Sequence, residues 1–479
     1  MLANLKPIWI VAGRELRDQL RDWRVLFPLV VLTTAFPFLM MVMARGVIDF
    51  INQYGADLVI DALVPFSILL IGFFPNTVSL VVALETFVGE KERGTIEPLL
   101  SSPMKDWQIY LGKLLVGVLT PLLASFLAIA VYLVMVSRLD LTMPSAGMVA
   151  QLIILTTGHA ILMVSGAIVI SVQSTSVKAA NLLASFIIIP VAFLVQGESI
   201  LLFWGNGRIL WVALVGVIIL ASLFVRMGIA HFQREYLLGR EIDTLNLRWM
   251  WVTFWRSFVD GSHSFVEWYR IAVAATLRRL ALPTLIMFLM LLAGGWMGYQ
   301  QVTVNAPNLF SGTDITTIDD LRETVSDIPV TNGLNGGNGI SAPFIFLNNL
   351  RATATIFVLG TATFGVLGIL AYLVNAGLIG AVLSLFAYLG VSPWLLFSSG
   401  ILPHGIFELP ALMLSGAAVL RMAVTLVTPQ AGKSMGELFI ELIADWVKVF
   451  LGVVVPLLLV AAVIETYVTP GIIKSVLHW

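Results

Sequence analysis

The chain has 479 residues, of which 59% are hydrophobic and only 11% are charged, and its formal net charge is -1. A soluble domain usually carries about 25% charged residues, so this composition excludes an ordinary soluble protein and predicts a polytopic membrane protein. The absence of cysteine excludes disulfides, thiolate metal sites and cysteine nucleophiles.

The N-terminal segment predicts an amphipathic helix followed by a membrane span that is retained in the mature protein. Apolar residues recur among the arginines of residues 10–24, which is typical of a helix lying on the cytoplasmic membrane surface. The apolar run that follows is too long for the hydrophobic part of a signal peptide. A solvated basic arm is the alternative for this segment.

Apolar windows of about 20 residues predict an all-α fold with about eleven transmembrane helices in two groups. The first group has six spans, at 25–44, 62–84, 114–136, 147–171, 179–196 and 208–228. The second has about five, at 281–299, 352–374, 375–391, 404–424 and 447–467. The span at 375–391 is short, and a re-entrant segment is the alternative there.

Two polar segments separate these groups and predict the domain organisation. Residues 241–278 mix arginine with tryptophan, which suits an interfacial linker at the cytoplasmic lipid headgroups. A loop that is basic only because it lies inside is the alternative, and nucleic-acid binding is disfavoured. Residues 301–345 are rich in Asn, Asp and Gly and predict an extracytoplasmic loop. We therefore expect one module at 1–240 and a second at 279–479, joined by the linker and both embedded in the lipid bilayer.

The placement of basic residues predicts the orientation. With a cytoplasmic N-terminus, most of the 27 Lys and Arg residues fall in inside segments, as the positive-inside rule requires. The exceptions are Arg45, Arg138, Arg208, Arg322, Arg351 and Lys474. A plasma-membrane protein with its N-terminus inside is expected, and an odd number of spans puts the C-terminus outside.

A dense charged segment lies between the second and third spans, at residues 85–113. A charged side chain at the bilayer centre costs about 2.5–3.5 kcal/mol, so this segment must lie in water. We expect a short helix from Thr95 to Leu100, ended by the Ser-Ser-Pro sequence that follows. Such a helix offers a rigid surface to a soluble partner, although charges that merely keep the loop solvated are the alternative.

This loop resembles that of the ABC-2 type permeases, and the resemblance covers about residues 5–240. The residues that match the loop pattern are Glu90, Glu92, Gly94, Thr95, Glu97, Leu99, Leu100, Pro103, Gly112 and Lys113. With the neighbouring Arg93, the resemblance implies that the loop residues 89–106 couple an exporter permease to separate cytoplasmic ABC ATPase subunits. It also implies a second permease copy or a homologue, hence a dimer.

The chain itself is not expected to be an enzyme or to hold a cofactor. Its nearest approach to a phosphate-binding loop is the AGKS sequence at 431–434, where Val427 occupies the position of the required glycine. ATP and Mg²⁺ would then belong to the partner ATPase. Within the first module, His159 is an isolated polar residue in the middle of a span. A hydrogen bond to another helix is favoured for it, with a functional role as the alternative.

The second module carries a different polar signature. Its FLNNL, LVNAGLIG and PHGIFELP sequences resemble the stage II sporulation protein M family over about residues 279–470. The signature residues are Asn348, Asn349, Asn375, His404, Gly405, Glu408 and Glu465. The asparagines are expected to bond between helices, with Asn375 at a turn, and Gly377 and Gly380 to allow close backbone approach.

His404 and Glu408 are spaced i, i+4 and therefore share one face of a helix. A buried hydrogen-bonded pair that fixes helix packing is favoured, with proton or ion handling and metal binding as alternatives. A metal needs a third ligand, for which Glu465 is the intramembrane candidate, and no metal is expected. For the whole chain, the alternative to an exporter is a non-transporting scaffold for envelope or cell-wall remodelling.

Overall fold

The computed structural model describes residues 6–54, 60–138, 142–174, 177, 180–181, 185–204, 210–232, 246–309, 341–428, 433 and 435–477. These residues are almost entirely helical and include no strand, which confirms the expected all-α fold. The chain divides into two compact units. The first comprises Met1–Leu245 and Val427–Pro429, and the second comprises Asn246–Leu426 and Gln430–Trp479.

The first unit is a bundle of long apolar helices preceded by a short one. Its helices are α1 (Lys6–Arg21), α2 (Trp23–Tyr54), α3 (Ile60–Glu92), α4 (Ile96–Leu100), α5 (Asp106–Ser137), α6 (Ala146–Gln173), α7 (Ser185–Trp204) and α8 (Leu210–His231). Helix α3 packs against both α5 and α6, and α6 packs against α8. The core is therefore formed where these four helices meet.

Polar side chains also fasten these helices to each other. Asn76 of α3 is completely buried and donates to the carbonyl of Thr156 in α6, at 3.2 Å. Ser125 of α5 donates to the carbonyl of Gly72 in α3, at 3.0 Å. Interhelical bonds of this kind contribute about 0.6 kcal/mol each in membrane proteins, so they define helix positions more than they stabilise the bundle.

Helix α1 is amphipathic, as expected, and it packs on α5. Its buried residues are Ile8, Val11 and Ala12, whereas Ile10 and Leu20 of the expected apolar face are exposed. The contact depends on Gly112 of α5, because a Cβ atom there would lie 2.8 Å from the Val11 side chain. The glycine of the loop pattern thus allows α1 to approach the start of α5.

The second unit contains five long membrane helices and several short ones. Its helices are α9 (Leu247–Val259), α10 (Phe265–Trp268), α11 (Ala274–Arg279), α12 (Ala281–Leu309), α13 (Ala342–Ala362), α14 (Val366–Tyr388), α15 (Pro393–Leu396), α16 (Leu402–Leu426), α17 (Met435–Val449), α18 (Val455–Tyr467) and α19 (Thr469–Leu477). Three π-helical turns, at Tyr269–Val273, Phe397–Ile401 and Phe450–Val454, join successive helices without a break.

The closest helix contact of the second unit joins α12 and α14. A Cβ atom on Gly380 would overlap the carbonyl oxygen of Gly295, and one on Gly298 would overlap that of Gly377. The two backbones touch here without intervening side chains, which is the arrangement that small residues permit in membranes. The close backbone approach expected at Gly377 and Gly380 is thus confirmed, although a Cβ on Gly377 itself would make only an ordinary 3.6 Å contact.

Ten helices of the described chain are long and apolar enough to cross a membrane, and the helix Ile187–Leu202 is a shorter apolar one. This agrees with the expected eleven spans. The boundary predicted between residues 374 and 375 is wrong, because the break lies at Thr363, Phe364 and Gly365. Phe364 and Gly365 have φ values of 46° and 90°, so the chain turns in the left-handed region there.

The remaining polar segments are described in part. The Arg/Trp segment forms α9, whose Trp251 and Trp255 rings stack with their centroids 5.9 Å apart and are exposed. Helix α9 packs against α17 within the second unit. Of the extracytoplasmic loop expected at 301–345, residues 301–309 continue helix α12, and residues 310–340 lie outside the described chain.

Candidate functional site

The loop after α3 carries the short helix expected from the sequence. Helix α4 spans Ile96–Leu100 and buries Ile96 and Leu99. Glu97 and Pro98 point away from the protein and are exposed. Helix α4 is therefore fixed to the bundle by its apolar face, and its polar face is available to a partner.

A buried lysine connects this loop to α1 and α5. The Nζ atom of Lys113 lies 2.7 Å from Glu15 Oε1 in α1 and 3.2 Å from Glu90 Oε2 at the end of α3. The Lys113 side chain is 0% exposed, and Nζ also lies 4.9 Å from the centre of the Phe87 ring. Arg14 of α1 approaches the other Glu90 oxygen at 3.6 Å. Three helices therefore meet at one charge cluster, which we call the Lys113 cluster.

The end of α3 is fastened at further points. Ser171 of α6 donates to the Leu84 carbonyl at 2.6 Å and accepts from the amides of Phe87 and Val88 at 3.1 Å. Glu92 accepts a hydrogen bond of 2.8 Å from the amide of Val177. The end of α3 is thus bonded both to α6 and to the segment after α6.

Gly94, which follows the end of α3, has a left-handed backbone conformation. Gly94 has φ 68° and open space around its Cα atom, while Arg93 Nε donates to the Gly89 carbonyl at 3.0 Å. The Thr95 amide donates to the Glu90 carbonyl at 2.9 Å. Thr95 precedes α4 without a capping side-chain bond, and Pro103 lies in the bend before α5. Leu100 ends α4, and its side chain lies outside the description.

The expectation that His159 is isolated is wrong. His159 Nε2 lies 3.2 Å from Glu198 Oε1, and both side chains are almost fully buried. Glu198 belongs to α7, whereas the predicted span ended at residue 196 and excluded it. The first unit therefore contains a buried His–Glu pair between α6 and α7.

In the second unit the structure brings His404, Glu408 and Glu465 together. One ligand atom from each lies within 4.8 Å of the others, and His404 Nε2 is 4.0 Å from Glu408 Oε2. A separation of 4.0 Å allows an electrostatic interaction between His404 and Glu408 but is too long for the expected hydrogen bond. His404 Nδ1 instead lies 3.3 Å from Thr469 Oγ1. Gly405, next to His404, is buried.

The three asparagines of the signature, Asn348, Asn349 and Asn375, differ in burial and in hydrogen bonding. Asn349 is buried and lies beside the Glu408 carboxylate. Asn375 lies within helix α14 and not at a turn, and its amide donates to the Ala371 carbonyl of the same helix at 2.8 Å. Asn348 is exposed. Of the expected interhelical contacts, the structure therefore supports the one made by Asn349.

The opposite end of the same helices holds a second charge cluster around Asp445 of α17. Lys448 Nζ lies 2.6 Å from Asp445 Oδ1, and Arg421 of α16 lies 2.8 Å from Oδ2. Arg279 approaches at 3.9 Å. These residues were not predicted, because the span expected at 447–467 begins after Asp445, while the helical segment actually starts near residue 436.

Comparison with known families matches each half of the chain separately. Residues 9–206 match the ABC-2 family transporter protein, and residues 283–470 match the stage II sporulation protein M. The chain joins an ABC-2 transporter domain to a sporulation protein M domain. An uncharacterized protein of Methanocaldococcus jannaschii is 32% identical over 130 residues, which is 27% of this chain and 71% of that protein.

The two domain matches divide the polar sites between them. The ABC-2 domain contains α4, the Lys113 cluster and the His159–Glu198 pair, and it is a component of membrane transport. The sporulation protein M domain contains His404, Glu408 and Glu465. As a whole, the chain is a multi-pass membrane protein.

Proposed function

We propose that this chain is the permease subunit of an ABC-type exporter, in which residues 89–106 dock a separate cytoplasmic ATPase. The ABC-2 match supports the permease part of the proposal. Two permease domains form the translocation pathway, from two copies of this chain or from one copy and a homologue. ATP and Mg²⁺ bind to the ATPase. The protein lies in the plasma membrane with its N-terminus and α4 in the cytoplasm.

The Lys113 cluster is the observation that carries the coupling proposal. Lys113 is enclosed by Glu15 of α1 and Glu90 of α3, and it lies near the start of α5. Because a buried charge that loses one partner is strongly destabilised, these helices resist separation. A displacement of the loop is therefore transmitted to α1 and α5 together.

Helix α4 provides the surface on which a partner acts. Its buried residues Ile96 and Leu99 hold it against the bundle, while Glu97 and Pro98 are exposed. An exposed carboxylate beside a rigid helix turn favours electrostatic complementarity with a basic groove on the ATPase. Closure of two ATPase subunits on ATP would push α4, and the ends of α3 and α5 would follow.

A charge reversal tests the docking surface. We expect Glu97→Lys to reduce co-purification of an ABC ATPase that the wild-type chain captures at least tenfold, because like charges at an interface cost several kcal/mol. Asp18→Lys is the matched control, since Asp18 is an exposed carboxylate on α1. Binding is measured by pull-down and by stimulation of ATPase activity in liposomes.

Equal ATPase binding by the Glu97→Lys and Asp18→Lys proteins would contradict docking through α4. If the purified chain binds no ABC ATPase at all, the exporter proposal fails. The non-transporting scaffold would then be the better interpretation, and deletion of the protein should produce an envelope phenotype without loss of export.

The left-handed conformation of Gly94 gives a second test at the same loop. A non-glycine residue in this region costs about 1–2 kcal/mol, but Asn tolerates it better than a β-branched residue. We expect Gly94→Val to lower ATPase stimulation several-fold, whereas Gly94→Asn should retain most of it. Since there is open space around Gly94, steric overlap does not explain such a difference. Equal activity of the two variants would show that this conformation is not needed for coupling.

A further inference from the structure

Three side chains of metal-binding type converge in the second unit, and the permease proposal does not use them. His404 and Glu408 lie one turn apart near the start of α16, directly after the π-helical turn Phe397–Ile401. Glu465 lies near the end of α18, which packs against α16. The ligand atoms lie within 4.8 Å of one another.

We propose that His404, Glu408 and Glu465 bind a divalent transition-metal ion, with Zn²⁺ favoured. One imidazole nitrogen and two carboxylate oxygens make a set of three protein ligands, and Zn²⁺ accepts both ligand types. Imidazole disfavours Ca²⁺ and Mg²⁺, which prefer oxygen ligands alone. Mn²⁺ would bind the same ligands more weakly than Zn²⁺.

The charge balance of the site supports a bound cation. Among the described residues, Glu408 and Glu465 form no ion pair with Lys or Arg. Two other partly buried carboxylates of the chain do have such a partner: Glu90 has Lys113, and Asp445 has Lys448. Uncompensated carboxylates in a membrane helix are costly, and a divalent ion would neutralise both.

The surroundings of His404 orient it for metal binding. Its Nδ1 atom lies 3.3 Å from the hydroxyl of buried Thr469. If Nδ1 donates to that hydroxyl, the lone pair is on Nε2, which is the atom that faces Glu408. Histidines that bind metals usually donate their other ring N–H to a neighbour in this way.

Asn349 provides a neighbour that can orient one of the ligands. It is buried on α13, and its amide lies beside the Glu408 carboxylate of α16. From this position the amide can hold one carboxylate oxygen while the other oxygen faces the metal.

The ligand atoms of the three side chains lie slightly too far apart for a bound Zn²⁺, and side-chain movement alone would bring them together. Tetrahedral Zn²⁺ at about 2.0–2.2 Å from each ligand atom places those atoms about 3.3 Å apart. His404 and Glu408 are now 4.0 Å apart, and both side chains are partly exposed. Rotation about their χ angles would close the site, and the exposed side would leave a coordination position for water.

The test uses the full chain, purified in detergent, freed of any histidine tag and stripped of metal with a chelator. Isothermal titration with Zn²⁺ should show one saturable site per chain, and Zn²⁺ should raise the thermal-unfolding midpoint. Glu465→Gln and His404→Gln should weaken Zn²⁺ binding at least 100-fold. Asn349→Ala should weaken it about tenfold, as loss of a residue that orients a ligand does. Glu441→Gln is the control, because Glu441 pairs with Lys433 away from the site.

The proposal is overturned if the wild-type chain shows no saturable Zn²⁺ binding, or if Glu465→Gln binds Zn²⁺ as tightly as the Glu441→Gln control. Each variant is first compared with the wild type by thermal unfolding in the metal-free state. Should His404→Gln fail to fold, Glu465→Gln tests the same site from another helix. The result is independent of ATPase docking, since Glu97 lies in the other unit.

Discussion

Lys113→Met is expected to lower the free energy of unfolding by about 3–5 kcal/mol. The methionine preserves the volume of the side chain but leaves Glu15 and Glu90 as partly buried carboxylates without their shared cation. Removal of one partner from a buried ion pair has a cost of this size. We expect a large decrease in the thermal-unfolding midpoint of the purified protein and loss of ATPase stimulation.

Arg14→Met is the control for this variant. Arg14 also approaches Glu90, but its side chain is 55% exposed and the distance is 3.6 Å. Exposed pairs contribute about 1 kcal/mol at most, so the midpoint should change little. Adding Glu90→Gln to Lys113→Met should restore part of the lost stability. If Lys113→Met and Arg14→Met unfold at the same temperature, the Lys113 cluster does not hold the three helices together.

Gly380→Ala is expected to disrupt the packing of α12 on α14. The added methyl group would overlap the backbone carbonyl of Gly295, and no flexible side chain is there to move aside. Overpacking usually costs about 1–3 kcal/mol and occasionally more. The high end applies here, because the obstacle is the main chain of a helix. Thermal unfolding and expression level both measure the effect.

The same helix offers a matched control one turn earlier. A Cβ atom on Gly377 would lie 3.6 Å from the Gly294 carbonyl oxygen, which is an ordinary contact. Gly377→Ala should therefore change the unfolding midpoint by a small amount of either sign. Equal losses at the two positions would argue that helix propensity or lipid packing, and not the contact between α12 and α14, determines the stability of this region.

The sequence predicts the first unit well where the signal is local. The apolar windows, the short helix after the second span and the glycine at its start are all found. The partners of charged residues are not predicted, because they come from distant helices. Glu15 lies 98 residues before Lys113. Glu198 lies two residues beyond the predicted end of its span at residue 196, whereas helix α7 continues to Trp204.

In the second unit the misplaced boundary has a physical cause. Helices α13 and α14 are both apolar, and the turn between them has no charged residue and only three positions. Hydropathy therefore could not locate it, and Asn375 was assigned to a turn that is helix. The i, i+4 spacing of His404 and Glu408 correctly predicted that they share one face of a helix. Their proximity to Glu465 required the packing of α18 on α16, which no local pattern contains.

The π-helical turn Phe397–Ile401 sets the direction in which His404 faces. A π turn inserts one residue into a helix, and each residue of an α-helix advances the side-chain direction by about 100°. Trp394 before the turn is exposed, whereas His404 after it points toward Glu465. This span can therefore expose an aromatic side chain at its start while the residues that follow present a polar face to the interior of the helix bundle.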